Sequence, residues 1–186
     1  MKNTILLMAL LCSMLVFSQA LEVTPDGLKD KLNLENTYVV IETPDQKASD
    51  LYQNSLKFIN EKYKNPAEVI KGNTENEYLS FETFVGQFMK VNNSGVKLDV
   101  SASYKTELRF KDGKVRFEII ELNMTADEGG RSVFFKGSIW KGYPIYSKKD
   151  KLRLEETKKD LENYFNFRLK SLSNFLNGKK AVKDDW

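Results

Sequence analysis

Between Val69 and Met124 apolar side chains recur on every second residue, the period of a strand with one covered face. Val96, Leu98, Val100, Ala102, Tyr104, Leu108 and Phe110 interleave with Lys97, Asp99, Ser101, Ser103, Lys105, Glu107 and Arg109. One face is dry and the other wet, as an antiparallel sheet covered on one side requires. Upstream, Leu79, Phe81, Val85, Met89 and Val91 alternate with mostly polar neighbours, apart from Phe84 and Phe88, and Asn92-Asn93-Ser94-Gly95 reads as a turn. Downstream, Asp112-Gly113 signals a tight hairpin. Val115, Phe117 and Ile119 then resume the alternation, and Ile120, Leu122 and Met124 continue it one residue out of phase, which predicts a bulge near Ile119–Ile120. Residues 96–110, if straight, would span about 50 Å at roughly 3.4 Å per residue. Such a strand has to bend, so a strongly curved sheet is expected.

The flanks carry the helices. Tyr38-Val39-Val40-Ile41 reads as a buried strand. Thr43-Pro44-Asp45-Gln46 has the signature of a helix start, with Thr43 as cap and Pro44 at the first helical position. Ala48, Tyr52, Leu56, Ile59 and Tyr63 then form one stripe, and Asn65-Pro66 ends it. Asp127-Glu128-Gly129-Gly130 reads as a loop, Ser132–Lys136 as a strand, and residues 137–147 as an aromatic, turn-rich stretch. A long helix is expected over residues 149–176, with Leu161, Phe165, Leu169, Leu172 and Phe175 or Leu176 inward and Asn177-Gly178 as its cap. Residues 21–37 are polar, with a turn at Pro25-Asp26-Gly27, and read as a lead-in with a short helix or loop. Residues 179–186 form a charged tail. The expectation is one α+β domain over residues 38–178, a curved antiparallel sheet whose dry face packs on two helices.

Residues 1–20 differ from the rest. Lys2 precedes an uncharged apolar run from Ile5 to Phe17, and Ser18-Gln19-Ala20 supplies small residues where a signal peptidase reads them. Thirteen apolar residues are too few for a bilayer-spanning helix, which needs about 20. A cleaved leader is expected, with the cut between Ala20 and Leu21 and no membrane span afterwards. Cys12 lies inside the apolar run behind Leu11, which does not suit a lipidation site. Export would place the protein in the periplasm or outside the cell. It would also remove the only cysteine and lower the net charge from +3 to +2, since the segment holds one lysine. Stability would then rest on the core without disulfides.

The order of strand Tyr38–Ile41, helix through Asp50-Leu51-Tyr52 and Tyr63, and strands from Glu77 to Ile120 resembles a bacterial family, domain of unknown function 4468, over roughly residues 38–125. The resemblance implies a TBP-like fold of β-α-β(4 or more)-α order and exported proteins of the Gram-negative envelope. It implies no activity and no catalytic residues, and the C-terminal helix lies partly beyond it.

The chain contains no histidine and a single cysteine. The usual zinc sites and the Ser-His and Cys-His nucleophile pairs cannot be assembled from it. No Gly-rich phosphate loop and no dinucleotide fingerprint occur. Residues 127–130 lack the carboxylate ladder of a calcium loop. Asp99 and Glu107, eight residues apart on one strand, would stand about 27 Å apart if it is straight, far beyond a glycosidase pair. No cofactor and no catalytic residue is therefore expected. The wet face is nearly balanced in charge, which argues against nucleic acid. Residues 147–186 carry eleven Lys/Arg and seven Asp/Glu, a pattern that suits a solvated helix face. Trp140, Tyr143 and Tyr146 are the candidate contact residues. The reading favoured for the same aromatics is that they pack under the final helix and seal the core, since aromatics dominate cores as well as interfaces. The expected function is a non-enzymatic binding or interaction module of the bacterial envelope, its partner a protein, a glycan or an apolar small molecule. The alternative is a carrier holding an apolar molecule or lipid between sheet and helix.

Overall fold

The structure is a computed structural model that describes residues 19–179. The expected leader up to Ser18, and the charged tail beyond Lys179, lie outside the described residues. The alternating segment folds into consecutive strands β4 (Ile70–Thr74), β5 (Tyr78–Asn93), β6 (Val96–Lys111) and β7 (Lys114–Ala126), followed by β8 (Ser132–Gly137) and β9 (Tyr143–Ser147). They hydrogen-bond in that order. β3 (Tyr38–Glu42) pairs antiparallel with the first half of β7, while β8 takes Met124 and Thr125 of its second half. On β6 the side chains of Leu98, Val100, Ala102, Tyr104, Thr106, Leu108 and Phe110 are all buried, so the period-two pattern is realised from Leu98 onward, while Val96, expected on the same face, is exposed beside the β5–β6 turn. Helices α1 (Ala48–Lys62) and α3 (Glu155–Leu176) contribute to the same core, α1 through Leu51, Tyr52, Phe58 and Ile59 and α3 through Leu161, Phe165, Leu169 and Leu172. A one-turn helix α2 (Pro66–Val69) separates α1 from β4.

The phase slip in β7 has the expected cause two residues further along. Ser103 pairs with Asn123 and Lys105 with Ile120, so Glu121 and Leu122 together face Tyr104. Glu121 takes a φ of +50° to make the bulge. A second irregularity, absent from the expectations, lies in β5: Val85 pairs with Ala102 and Met89 with Val100, leaving residues 86–88 opposite Ser101 alone. It turns adjacent Phe88 and Met89 both into the core, which two-residue alternation forbids, whereas Phe84, ahead of it, is exposed because regular alternation with buried Phe81 and Thr83 puts it on the wet face.

Four expectations need correction. Residues 21–37 do not begin with a short helix or loop: they start with a hairpin of β1 (Leu21–Thr24) and β2 (Gly27–Asp30), with Leu21 and Val23 in the core. Strands of four residues are too short for alternation to declare them. The outer edge of β1 meets side chains of α3 and β9 in place of another strand. Asn166 accepts from the Leu21 amide at 2.7 Å and donates to its carbonyl at 2.9 Å, Glu162 accepts from the Val23 amide at 2.9 Å, and the Tyr146 hydroxyl donates to the Val23 carbonyl at 2.8 Å.

Thr43 and Pro44 do not open the first helix, which starts at Ala48 with Lys47 as the flanking residue. Tertiary bonds claim the intended capping groups: the Gln46 amide side chain donates to the Leu176 carbonyl, and its backbone carbonyl accepts from Gly113. Asp112, in the β6–β7 turn, accepts from the Ala48 amide at 2.8 Å and supplies the cap instead. The final helix begins at Glu155 rather than near Lys149, because Ser147–Lys151 close a turn and Leu152 bridges to Tyr146. The sheet is mixed rather than wholly antiparallel, since β8 and β9 run parallel, Val133 against Tyr143 through Gly137 against Ser147.

Candidate ligand cleft at the strand crossover

Adjacent parallel strands are ordinarily joined by a dozen or more residues, because the chain has to return to its starting level. Between β8 and β9 residues 138–142 make the whole return. A single turn of 3-10 helix, Ile139–Lys141, carries it, with the Ser138 hydroxyl accepting from the Trp140 amide and the Ser138 carbonyl accepting from Lys141. Glycines flank it on both sides, and at Gly142 the backbone demands one. A Cβ at Gly137 would lie 2.4 Å from the Phe134 ring, and one at Gly142 would lie 2.2 Å from the Ser132 carbonyl oxygen. Gly142 also adopts φ +151° and ψ −142°, a region essentially confined to glycine.

This compressed crossover separates the three candidate aromatics. Trp140 sits at the crest of the turn and is 89% exposed, with Ile139 beside it also exposed. Tyr143 and Tyr146 follow on β9 and are buried. Burial raises the pKa of the Tyr146 hydroxyl, whose bond to the Val23 carbonyl ties β9 to the N-terminal hairpin. Trp140 and Tyr143 both line an open cleft of about 440 Å³, whereas Tyr146 is not part of its wall. The other walls are Asn92 and Ser94 from the β5–β6 turn, Arg131 ahead of β8, and Arg153 ahead of α3.

The arginines give the cleft its character. Arg131 donates through Nη2 to the Ile139 carbonyl at 2.8 Å, and its guanidinium lies 4.8 Å from the centre of the Tyr143 ring. Both contacts fix it in place. Arg153 is anchored through its backbone amide to the Ile145 carbonyl at 2.8 Å. No carboxylate lines the cleft, and among the described residues neither arginine forms an ion pair. The wet face of the sheet is the opposite case: Lys90 pairs with Asp99, Lys105 with Glu121, Arg116 with Glu118 and Lys71 with Glu82. Sequence reasoning did not find Arg131 and Arg153, because nothing local distinguishes two arginines among 29 basic residues. Only the crossover brings them together.

A second groove, of about 450 Å³, lies between the β5 irregularity and α3 and is lined mainly by Phe88, Met89, Tyr164 and Phe167. Residues 127–130 form a turn in which the Asp127 carboxylate accepts from the Ser101 hydroxyl at 2.6 Å. Among the described residues no cluster of three or more acidic, His or Cys side chains converges as a metal site, and no helix is long and apolar enough to cross a membrane.

A solved DUF4468 family protein from Bacteroides ovatus superposes on this structure with a TM-score of 0.52, covering 79% of this chain and 88% of its own. The two share their fold. At 12% identity the likeness to the DUF4468 protein is one of architecture alone. A TBP-like protein from Parabacteroides distasonis aligns with a TM-score of 0.49 and 13% identity over 78% of this chain and 92% of its own. No family model and no curated protein matches the sequence.

Proposed function

We propose that the protein is an exported, non-enzymatic binding module of the bacterial envelope, and that it engages its ligand at the crossover cleft. The observation that carries this reading is Trp140, a large aromatic side chain 89% exposed on a turn that ends at Gly142, whose backbone conformation is essentially confined to glycine. Holding a tight, restricted backbone costs stability, and such strain concentrates where a surface has a task. Exposed Trp beside Arg is the residue pairing that anchors binding surfaces. Export is supported by the three-part pattern of residues 1–20. A curved, TBP-like sheet over two helices is the architecture this reading assumes. The two irregularities in β5 and β7 support it, since bulges bend the strands that carry them. A screen of envelope glycans and proteins against the protein and its Trp140→Ala variant tests the reading. A ligand bound by the first and lost by the second supports it, and catalytic turnover lost on replacing one Asp or Glu would contradict it.

The groove at Phe88, Tyr164 and Phe167 favours a second reading, a carrier of an apolar molecule between sheet and helix. Native mass spectrometry of freshly purified protein would then show a bound lipid, and a clean apo mass would remove this reading.

A further inference from the structure

We infer that the crossover cleft binds a carboxylated sugar; this rests on the binding reading above. Its two kinds of wall select that class together. The indole of Trp140 offers a broad apolar face to solvent, and a pyranose ring has a matching apolar face of C–H groups rimmed by hydroxyls. An acyl chain would need an enclosed apolar channel, whereas this cleft is open to solvent and sets two arginines beside its apolar wall. Arg131 and Arg153 line the same space, and the guanidinium fork matches a carboxylate in two parallel hydrogen bonds. Arg131 is already held by the Ile139 carbonyl and the Tyr143 ring, so little side-chain freedom remains to be lost on binding. Both arginines are exposed and no acidic side chain lines the wall, so an anionic ligand gains a charge pairing that a neutral one lacks, and a cationic ligand would be repelled. Asn92 lines the cleft as well and accepts from the Gly95 amide through Oδ1 at 2.8 Å, so its Nδ2 is the group left to donate to a sugar hydroxyl.

The chain has two tryptophans, Trp140 and Trp186, so a Trp186→Phe background leaves Trp140 as the fluorescent reporter. This protein would be titrated with a galacturonic acid trisaccharide, the neutral galactose trisaccharide and inorganic phosphate. The acidic trisaccharide is expected to give a saturable change in Trp140 emission. Arg153→Gln is expected to weaken it about tenfold and to flatten its salt dependence, with circular dichroism unchanged. Equal binding of the neutral sugar, equal binding of phosphate, or an unchanged affinity in Arg153→Gln would overturn the inference. Silence from the acidic trisaccharide, alongside Trp140-dependent binding of another envelope ligand, would overturn the ligand class and leave the binding reading standing.

Discussion

A Cβ at Gly142 would have to fit 2.2 Å from a backbone oxygen, at a φ of +151° that L side chains rarely adopt. Neither the strand pairing at Ser132 nor the crossover can yield cheaply, so Gly142→Ala should cost about 2–3 kcal/mol in denaturant unfolding. Trp140 is the converse case. Its side chain packs on almost nothing, so Trp140→Ala should change stability by under about 0.5 kcal/mol while abolishing ligand binding. The buried tyrosines give a pH signature. Desolvation raises the Tyr104 pKa well above its usual value, reinforced by Tyr164 beside it and opposed by Arg168, and its hydroxyl bonds that of Tyr164 at 2.8 Å. As pH rises the unfolded chain loses this proton first, near pH 10 for a free tyrosine, while the folded chain keeps it. Stability should therefore be insensitive to this group below about pH 10 and fall above it. Alkaline titration followed by tyrosinate absorbance should show Tyr104 ionising only with unfolding, and a Tyr104→Phe variant should hold out to higher pH.

At the scale of elements, the caps and edges come from distant parts of the chain. Asp112 caps α1 across the hairpin, so Asp112→Ala should lower stability by about 1 kcal/mol, and Asp112→Asn by less. Asn166 makes two bonds to one residue of β1. Asn166→Ala should speed hydrogen exchange at Leu21 far more than in β6, because Asn166 bonds both the amide and the carbonyl of that residue. These contacts explain which elements were legible. β6 announces itself through sixteen residues of alternation, and α3 through the stripe from Leu161 to Leu176, because each buries one continuous face. The Thr43-Pro44 signal failed because tertiary bonds to Gln46 outcompeted a local cap. β1 stayed hidden because four residues carry too little periodicity, and because side chains more than a hundred positions away satisfy its edge.

At the scale of the molecule, sheet and site follow different rules. The sheet was readable since it repeats a simple pattern, and its register changes at Glu121–Leu122 left a phase slip in the sequence. The cleft was readable only at Trp140 and Tyr143. Its arginines come from ahead of β8 and ahead of α3, and the parallel β8–β9 pairing that unites them has no local signature. The direct test of the account is chemical-shift mapping on isotope-labelled protein with the ligand that the glycan and protein screen delivers. Shifts should concentrate at Asn92, Ser94, Arg131, residues 138–143 and Arg153. Shifts confined to Phe88, Tyr164 and Phe167, or spread over the outer face of the sheet, would contradict it.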